Sequence, residues 1–166
     1  MKRTAVLVTI LAVLGLAGSG FTQTYGPTKS FGARAGFGID PDQIVFGGQA
    51  VLGQVLKVAR FSPSVDVGFG DDLTTVVGNI DLRVHLSPPR AAAGLYLGGG
   101  PTLAWLDPEL GDSDTEIGFS AAGGLMAAMG QSNMYTLEAR VGLGDIPDFR
   151  LTVGILFGAV EDIDDD

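Results

Sequence analysis

Apolar and polar side chains alternate most clearly in residues 76–86, which read VVGNIDLRVHL. Val76, Ile80 and Leu82 occupy one set of alternate positions, whereas Asp81 and Arg83 belong to the other. Successive side chains of a β-strand point to opposite faces, whereas the apolar positions of a helix recur about every 3.6 residues. This stretch therefore predicts a β-strand with one apolar and one polar face.

The same alternation recurs along the rest of the chain. Counted in order, the eight predicted strands cover residues 31–39, 44–52, 60–69, 76–86, 95–105, 116–129, 135–143 and 149–157. Segments rich in Asp, Gly, Pro, Ser and Asn separate them, except around residues 54–58, which carry no clear turn signal. Strands joined by such short connections pair antiparallel, and eight of them fit a closed up-and-down barrel. The predicted fold class is therefore all-β, an eight-stranded antiparallel β-barrel.

The composition indicates which face of this barrel points outward. Only 17% of the residues are charged and 26 of 166 are Gly, which does not suit a charged, water-exposed wall. The polar face holds mostly Gly, Ser, Thr and Ala, which are small enough for the narrow interior of eight strands. We therefore expect a transmembrane barrel whose apolar face lies in lipid. A soluble periplasmic barrel that binds an apolar ligand inside is the alternative, with Arg34, Arg83 and Arg140 facing water.

The first residues have the layout of a secretory signal peptide. A basic start at residues 2–3 is followed by an apolar run over residues 5–17 and then by small residues. That run is too short for the roughly 20 residues that a spanning helix needs. The expected organisation is a cleaved signal peptide over 1–19, a lead-in over 20–29, a barrel domain over 30–158 and an acidic tail over 159–166.

The polar face is expected to fill the lumen with a hydrogen-bonded network. Its charges are few and of both signs, as expected where buried charges must pair. The expected network consists of Arg34, Gln49, Arg60, Asp66, Asp81, Arg83, Tyr96, Glu138, Arg140 and Arg150. Simple hairpin registers place Arg34 opposite Gln49 and Asp81 opposite Tyr96, so that long side chains cross a narrow lumen.

Aromatic residues on the apolar face fall into two bands, as in the girdles that mark membrane interfaces. The band expected at the periplasmic end holds Phe31, Phe61, Tyr135 and Phe157, and the other holds Phe37, Phe46, Phe69, Trp105, Phe119 and Phe149. Residues between the bands are mainly Ala, Val and Leu.

This pattern resembles the small eight-stranded outer-membrane β-barrels, the OmpA/OmpX-like porin-fold family. The resemblance covers about residues 30–157. In that family the last strand carries an assembly signal, which Thr152, Gly154 and Phe157 match in part, although nine residues follow Phe157. The resemblance implies a bacterial outer-membrane protein that depends on the export and outer-membrane assembly machinery. The peptidoglycan-binding module of larger family members is not expected.

Acidic residues concentrate in the connections at one end of the predicted barrel. They are Asp40, Asp42, Asp71, Asp72, Asp107, Glu109, Asp112, Asp114, Asp145 and Asp148. Such a rim could bind divalent cations or bridge to anionic lipid, but no connection has the ordered spacing of a calcium loop, and a solvated acidic surface is the simpler interpretation. The formal charge of −9 argues against a nucleic-acid partner.

Catalytic chemistry has little support in the sequence. The chain has no Cys, which excludes thiol catalysis, and its one His is His85 on the predicted polar face. Ser62, Ser64 and Asp66 on the preceding strand make a triad conceivable, but a hydrogen-bonded lumen histidine is the simpler interpretation. The expected function is that of a non-catalytic, monomeric outer-membrane barrel with a structural or surface role and a largely closed polar lumen, without metal or cofactor. A narrow cation-preferring pore is a second alternative.

Overall fold

The computed structural model describes residues 29–56, 58–86, 93–129 and 133–158, which form an all-β structure. The predicted signal peptide and acidic tail lie outside these residues. No helix in the described ranges is long and apolar enough to cross a membrane. The strands are β1 (Ser30–Ile39), β2 (Gln43–Val51), β3 (Gln54–Leu56), β4 (Ala59–Phe69), β5 (Leu73–His85), β6 (Ala93–Pro108), β7 (Asp114–Met129), β8 (Asn133–Leu143) and β9 (Phe149–Phe157).

Within the described part of the chain, eight of these strands close into an antiparallel barrel. Neighbours in the ring follow chain order, and β1 closes it by pairing with both β2 and β9. β2 pairs directly with β4, so the short β3 stands outside the ring. This closed ring confirms the predicted eight-stranded antiparallel barrel. Closure leaves no strand of the ring with a free edge.

At two connections, the ends of the strands differ from the predicted ones. β3 forms a short ribbon with the start of β4, at Gln54↔Arg60 and Leu56↔Ala59, in the segment that carried no turn signal. The β6–β7 ladder continues to Leu106↔Asp114, beyond the predicted ends of both strands. Backbone hydrogen bonds form these extensions, and they do not require the alternation of side chains from which the strands were predicted.

The outward face of the barrel is apolar. Phe31, Ile117 and Val153 have 70%, 77% and 59% of their surface exposed, whereas no more than 4% of Arg34, Arg83 or Arg140 is exposed. The soluble alternative, with apolar side chains lining a pocket and these arginines facing water, is therefore wrong. The apolar side chains form the outer surface, and the polar ones fill the interior.

The register differs from that of simple hairpins. Arg34 pairs with Gly47 rather than Gln49, and Tyr96 pairs with His85 rather than Asp81. Both predicted pairings are wrong. A shift by an even number of residues keeps every side chain on its face, so the alternation alone cannot detect it.

The barrel has two distinct ends. The acidic end, as we call it, carries the turns at residues 40–42, 70–72, 109–113 and 144–148. The terminal end carries Ser30 at the start of β1 and Phe157 at the end of β9, which lie close together because Phe31 pairs with Phe157.

Candidate functional site: the charged lumen

The lumen holds the polar side chains that the sequence assigns to it. All ten predicted network residues are buried, each with at most 5% of its surface exposed. Burial of that many charges is tolerated only where they are paired and hydrogen-bonded. Which of them meet depends on the register and on where glycine leaves space.

Glu138 on β8 receives more hydrogen bonds than any other carboxylate for which the structure gives contacts. Its Oε1 accepts from Arg34 Nη1 and Arg140 Nη2, each at 3.0 Å, and its Oε2 accepts from Arg83 Nη2 at 3.0 Å. Tyr96 donates its hydroxyl to the same Oε2 at 2.8 Å. Three guanidinium groups from β1, β5 and β8 and one phenol from β6 thus converge on one carboxylate.

Asp66 and Asp81 hold the remaining arginine contacts of the central lumen. Asp66 accepts from Arg34 Nε at 2.7 Å and from Arg150 Nη1 at 2.8 Å. Asp81 accepts both terminal nitrogens of Arg140, one of them at 3.0 Å. The Arg34–Asp66 and Arg140–Asp81 pairs are fork-shaped and fix orientation as well as charge, because a planar guanidinium matches the two oxygens of a carboxylate.

Glycines allow side chains to reach across an intervening strand. Gly47 lies between Arg34 and Asp66 in one cross-strand row, and a Cβ at Gly47 would collide with Asp66 Oδ1. Gly124 lies in the same way between Tyr96 and Glu138, and a Cβ there would lie 2.5 Å from the Tyr96 hydroxyl. These two glycines are therefore part of the network, since Gly47 leaves the gap that an ion pair spans and Gly124 the gap that a hydrogen bond spans.

Further neutral side chains, which the sequence-based prediction did not include, also belong to the network. Ser64 accepts from Arg34 at 2.9 Å, and Ser120 accepts from Arg140 at 2.6 Å. Thr102 donates to Asn79 at 3.1 Å or to Ser120 at 2.8 Å. All four lie at polar positions of the alternation, so the face that each occupies could be predicted from the sequence. Their hydrogen-bond partners on other strands could not. Gln49 donates to Thr136 at 3.2 Å.

Apolar side chains also face the lumen, near its two ends. At the terminal end a buried cluster consists of Val51, Tyr96, Met126, Met134 and Leu156. At the acidic end a smaller cluster consists of Val77, Ala104 and Ile146. Ile146 comes from the turn between β8 and β9 and occupies space beside two glycines, since a Cβ at Gly118 would lie 3.1 Å from it. The sequence indicated a turn here but not that it folds inward.

The ten predicted girdle residues lie on the outer surface to different extents. Eight of them are 39–70% exposed, and Phe61 and Phe149 are half-buried. Near the terminal end, Phe31 lies beside Phe157 with ring centroids 6.4 Å apart, and Tyr135 pairs with Ile155. Near the acidic end, Phe37 and Phe69 are both paired with Ile44.

The conceivable catalytic triad is not assembled in the described residues. Ser62 pairs with Asp81, four residues from His85 along β5, which is roughly 13 Å of strand. The Ser62 hydroxyl donates to the carbonyl of Ala50, and Asp66 is held by arginines. His85 instead lies beside Tyr96, with ring centroids 6.2 Å apart.

The acidic end does not gather its carboxylates into a metal site. In the described ranges, no group of three or more His, Asp or Glu side chains is close enough to hold a metal ion. Two of the turns are instead joined through their backbones, since Asp148 N donates to the carbonyl of Asp40 at 3.0 Å.

Known structures share this architecture, although no family model and no curated protein matches the sequence. The N-terminal β-barrel domain of Pseudomonas aeruginosa OprF superposes with a TM-score of 0.67 at 11% identity, covering 81% of this chain and 98% of that one. Neisserial surface protein A (NspA) gives a TM-score of 0.59 at 13% identity, covering 78% and 94%. A de novo designed transmembrane β-barrel gives 0.53 at 13%, covering 82% and 98%. The chain has the fold of the small eight-stranded outer-membrane β-barrels.

Proposed function

We propose that this protein is a non-catalytic outer-membrane β-barrel with a structural or surface role and a largely closed lumen. The observation that carries the proposal is the arrangement of the interior. Ion pairs centred on Glu138 cross the middle of the lumen, and an apolar cluster lies near each end. Such a filled interior stabilises the wall and leaves little room for a solute.

The outer surface supports placement in a membrane. Large apolar side chains such as Phe31, Ile117 and Phe119 are more than 60% exposed, which would be costly in water and is favourable in lipid. The acidic end then faces the outside and the terminal end faces the periplasm. Outer-membrane lipid, the exporter and the assembly machinery are the partners that this placement requires.

Fractionation of cells expressing the full chain tests the placement. We expect recovery with outer membranes and a mobility shift between unboiled and boiled samples on SDS gels, because a closed barrel resists SDS until it is heated. Recovery as a soluble periplasmic protein would contradict the proposal.

Planar-bilayer recording tests the closed lumen. We expect no steady conductance from the wild-type barrel, since charged side chains and two apolar clusters fill the interior. Uniform channel openings would instead indicate a narrow pore. Combining Arg34→Ala with Arg140→Ala should then enlarge those openings, because both side chains cross the lumen to carboxylates on β4 and β5.

A further inference from the structure

A groove runs across the outer wall of the barrel, toward the terminal end. Its volume is about 360 Å³, which lies within the roughly 300–1,000 Å³ that small-molecule sites enclose. The residues that line it come from β6, β7, β8 and β9 and from Leu86, which follows β5. All of these described residues are leucine, alanine, glycine or tyrosine, and none of them carries a charge. The groove therefore suits an apolar ligand.

Two small residues form the floor of the groove. One cross-strand row of outward residues runs through β6, β7, β8 and β9 and consists of Leu97, Gly123, Ala139 and Leu151. Neighbouring strands lie about 4.7–4.9 Å apart, so this row is roughly 14–15 Å long. Gly123 has no side chain and Ala139 has only a methyl group, so the wall is lowest between the two leucines. Leu97 already leans over this gap, because a Cβ at Gly123 would lie 3.3 Å from Leu97 Cδ2.

A row of leucines borders the groove on the side of the terminal end. It consists of Leu95, Leu125 and Leu137, which are successive Cα partners and are each at least 40% exposed. Tyr96 also contributes to the lining, but its hydroxyl donates to Glu138 inside the lumen and does not serve a ligand on the outside. The groove therefore has hydrocarbon on its floor and along one side.

The groove lies within the apolar surface that faces lipid, and this position indicates what fills it. Exposed apolar side chains continue on both neighbouring strands, at Leu82 on β5 and at Phe37 on β1. An empty groove would deprive its leucines of dispersion contacts, which a flexible hydrocarbon chain supplies along its whole length. Lipid tails are as apolar as leucine, so the gain from binding comes from packing rather than from transfer out of water. Binding therefore depends on the shape of the groove.

We propose that the groove binds one acyl chain of a phospholipid, an inference that rests on the membrane placement proposed above. The chain lies over Gly123 and Ala139 and against the leucines of the bordering row. Phospholipid is the occupant, because the terminal end faces the periplasm in that placement and phospholipids supply the acyl chains of the periplasmic leaflet.

Photolabelling with a phospholipid tests the proposal. The probe is a phosphatidylethanolamine with a diazirine in one acyl chain, mixed with the refolded full chain in excess zwitterionic detergent at less than one lipid per barrel. Detergent competes for the whole apolar surface, so only a site that prefers the acyl chain becomes labelled above the general level. After illumination, we expect peptides from β6, β7 and β8 to carry about fivefold or more label than peptides from β1, β2 and β4. Refolding in micelles makes the result independent of where cells place the barrel, so failure of the groove is distinguishable from failure of the membrane placement.

Gly123→Leu and Ala139→Leu fill the groove from two strands, and Gly78→Leu is the matched control. Gly78 also faces outward, on β5, and a Cβ there would have no atom beyond its chain neighbours within 4 Å. We expect the two filling variants to lose the excess label about fivefold or more and the control to keep it, with gel mobility confirming that each variant is folded. The proposal is overturned if label spreads evenly over the wild-type strands, or if a folded filling variant keeps the excess. A wild-type dimer in native mass spectrometry that Gly123→Leu abolishes would also overturn it, because a second copy would then occupy the groove.

Discussion

At the scale of single residues, Glu138 is the centre of the lumen. Its two oxygens receive hydrogen bonds from Arg34, Arg83, Tyr96 and Arg140, and it is 3% exposed. Removing one partner of a buried pair leaves uncompensated charge, which costs far more than the net contribution of an intact pair. The ion pairs of Glu138 therefore add little net stability. Loss of the carboxylate would be costly because it would leave buried arginines without a counter-charge.

Glu138→Gln keeps the shape of this side chain and removes its charge. We expect the free energy of unfolding to fall by about 3–5 kcal/mol, because three arginines lose a shared counter-charge in a buried site. Urea titration of the barrel in detergent, with the folded fraction counted by gel mobility, measures the change. Glu109→Gln is the control, since Glu109 is exposed in a turn, and it should leave the midpoint unchanged. Equal effects of the two variants would show that the Glu138 charge has no structural role.

At the scale of strands, side-chain pairing depends on glycine in the neighbouring strand. Arg34 reaches Asp66 across β2 because Gly47 lies between them. The adjacent Gly48 points outward, where a Cβ would meet its nearest atom at 3.7 Å, an ordinary contact. Two consecutive glycines on β2 thus have different roles, which depend only on the face that each occupies.

Gly47→Ala and Gly48→Ala form a matched pair that tests this difference. The first places a methyl group on Asp66 Oδ1 and close to the carbonyl of Val65, so we expect a loss of about 1–3 kcal/mol in unfolding free energy. The second should change it by less than about 0.5 kcal/mol. The same urea titration applies to both variants. A larger loss from Gly48→Ala than from Gly47→Ala would contradict the bridging role of Gly47.

The barrel as a complete fold reverses the distribution of polar and apolar side chains that a water-soluble protein has. Its interior holds arginines and carboxylates, and its exterior holds Phe, Leu, Ile and Val. Among the described residues, the acidic turns lie at the acidic end, beyond the apolar side chains that form a belt on the outer surface. This distribution gives the barrel a preferred depth in lipid, because a charged side chain in the belt destabilises the folded barrel, whereas one at the acidic end does not.

Val153→Arg and Leu110→Arg test that depth dependence. Val153 lies at the middle of β9 and is 59% exposed, whereas Leu110 lies in a turn at the acidic end and is 94% exposed. In lipid vesicles we expect Val153→Arg to lower the free energy of unfolding by about 2–4 kcal/mol and Leu110→Arg to lower it by at most about 1 kcal/mol. Reversible unfolding in denaturant measures both. Similar small effects at the two positions would indicate that the belt does not lie in lipid.

The alternation of side chains along the chain was enough to predict the eight strands of the ring and the face on which each of their side chains lies, because a β-strand has a side-chain period of two. It also assigned Arg34, Glu138 and Arg140 to the interior. It could not determine which of them meet, since shifts by an even number of residues preserve every face. The contacts inside the lumen follow only from the three-dimensional arrangement of the strands. Pairing across non-consecutive strands brought Arg34 to Asp66, and closure of the barrel brought Ile146 over the lumen, because such contacts join residues distant in sequence.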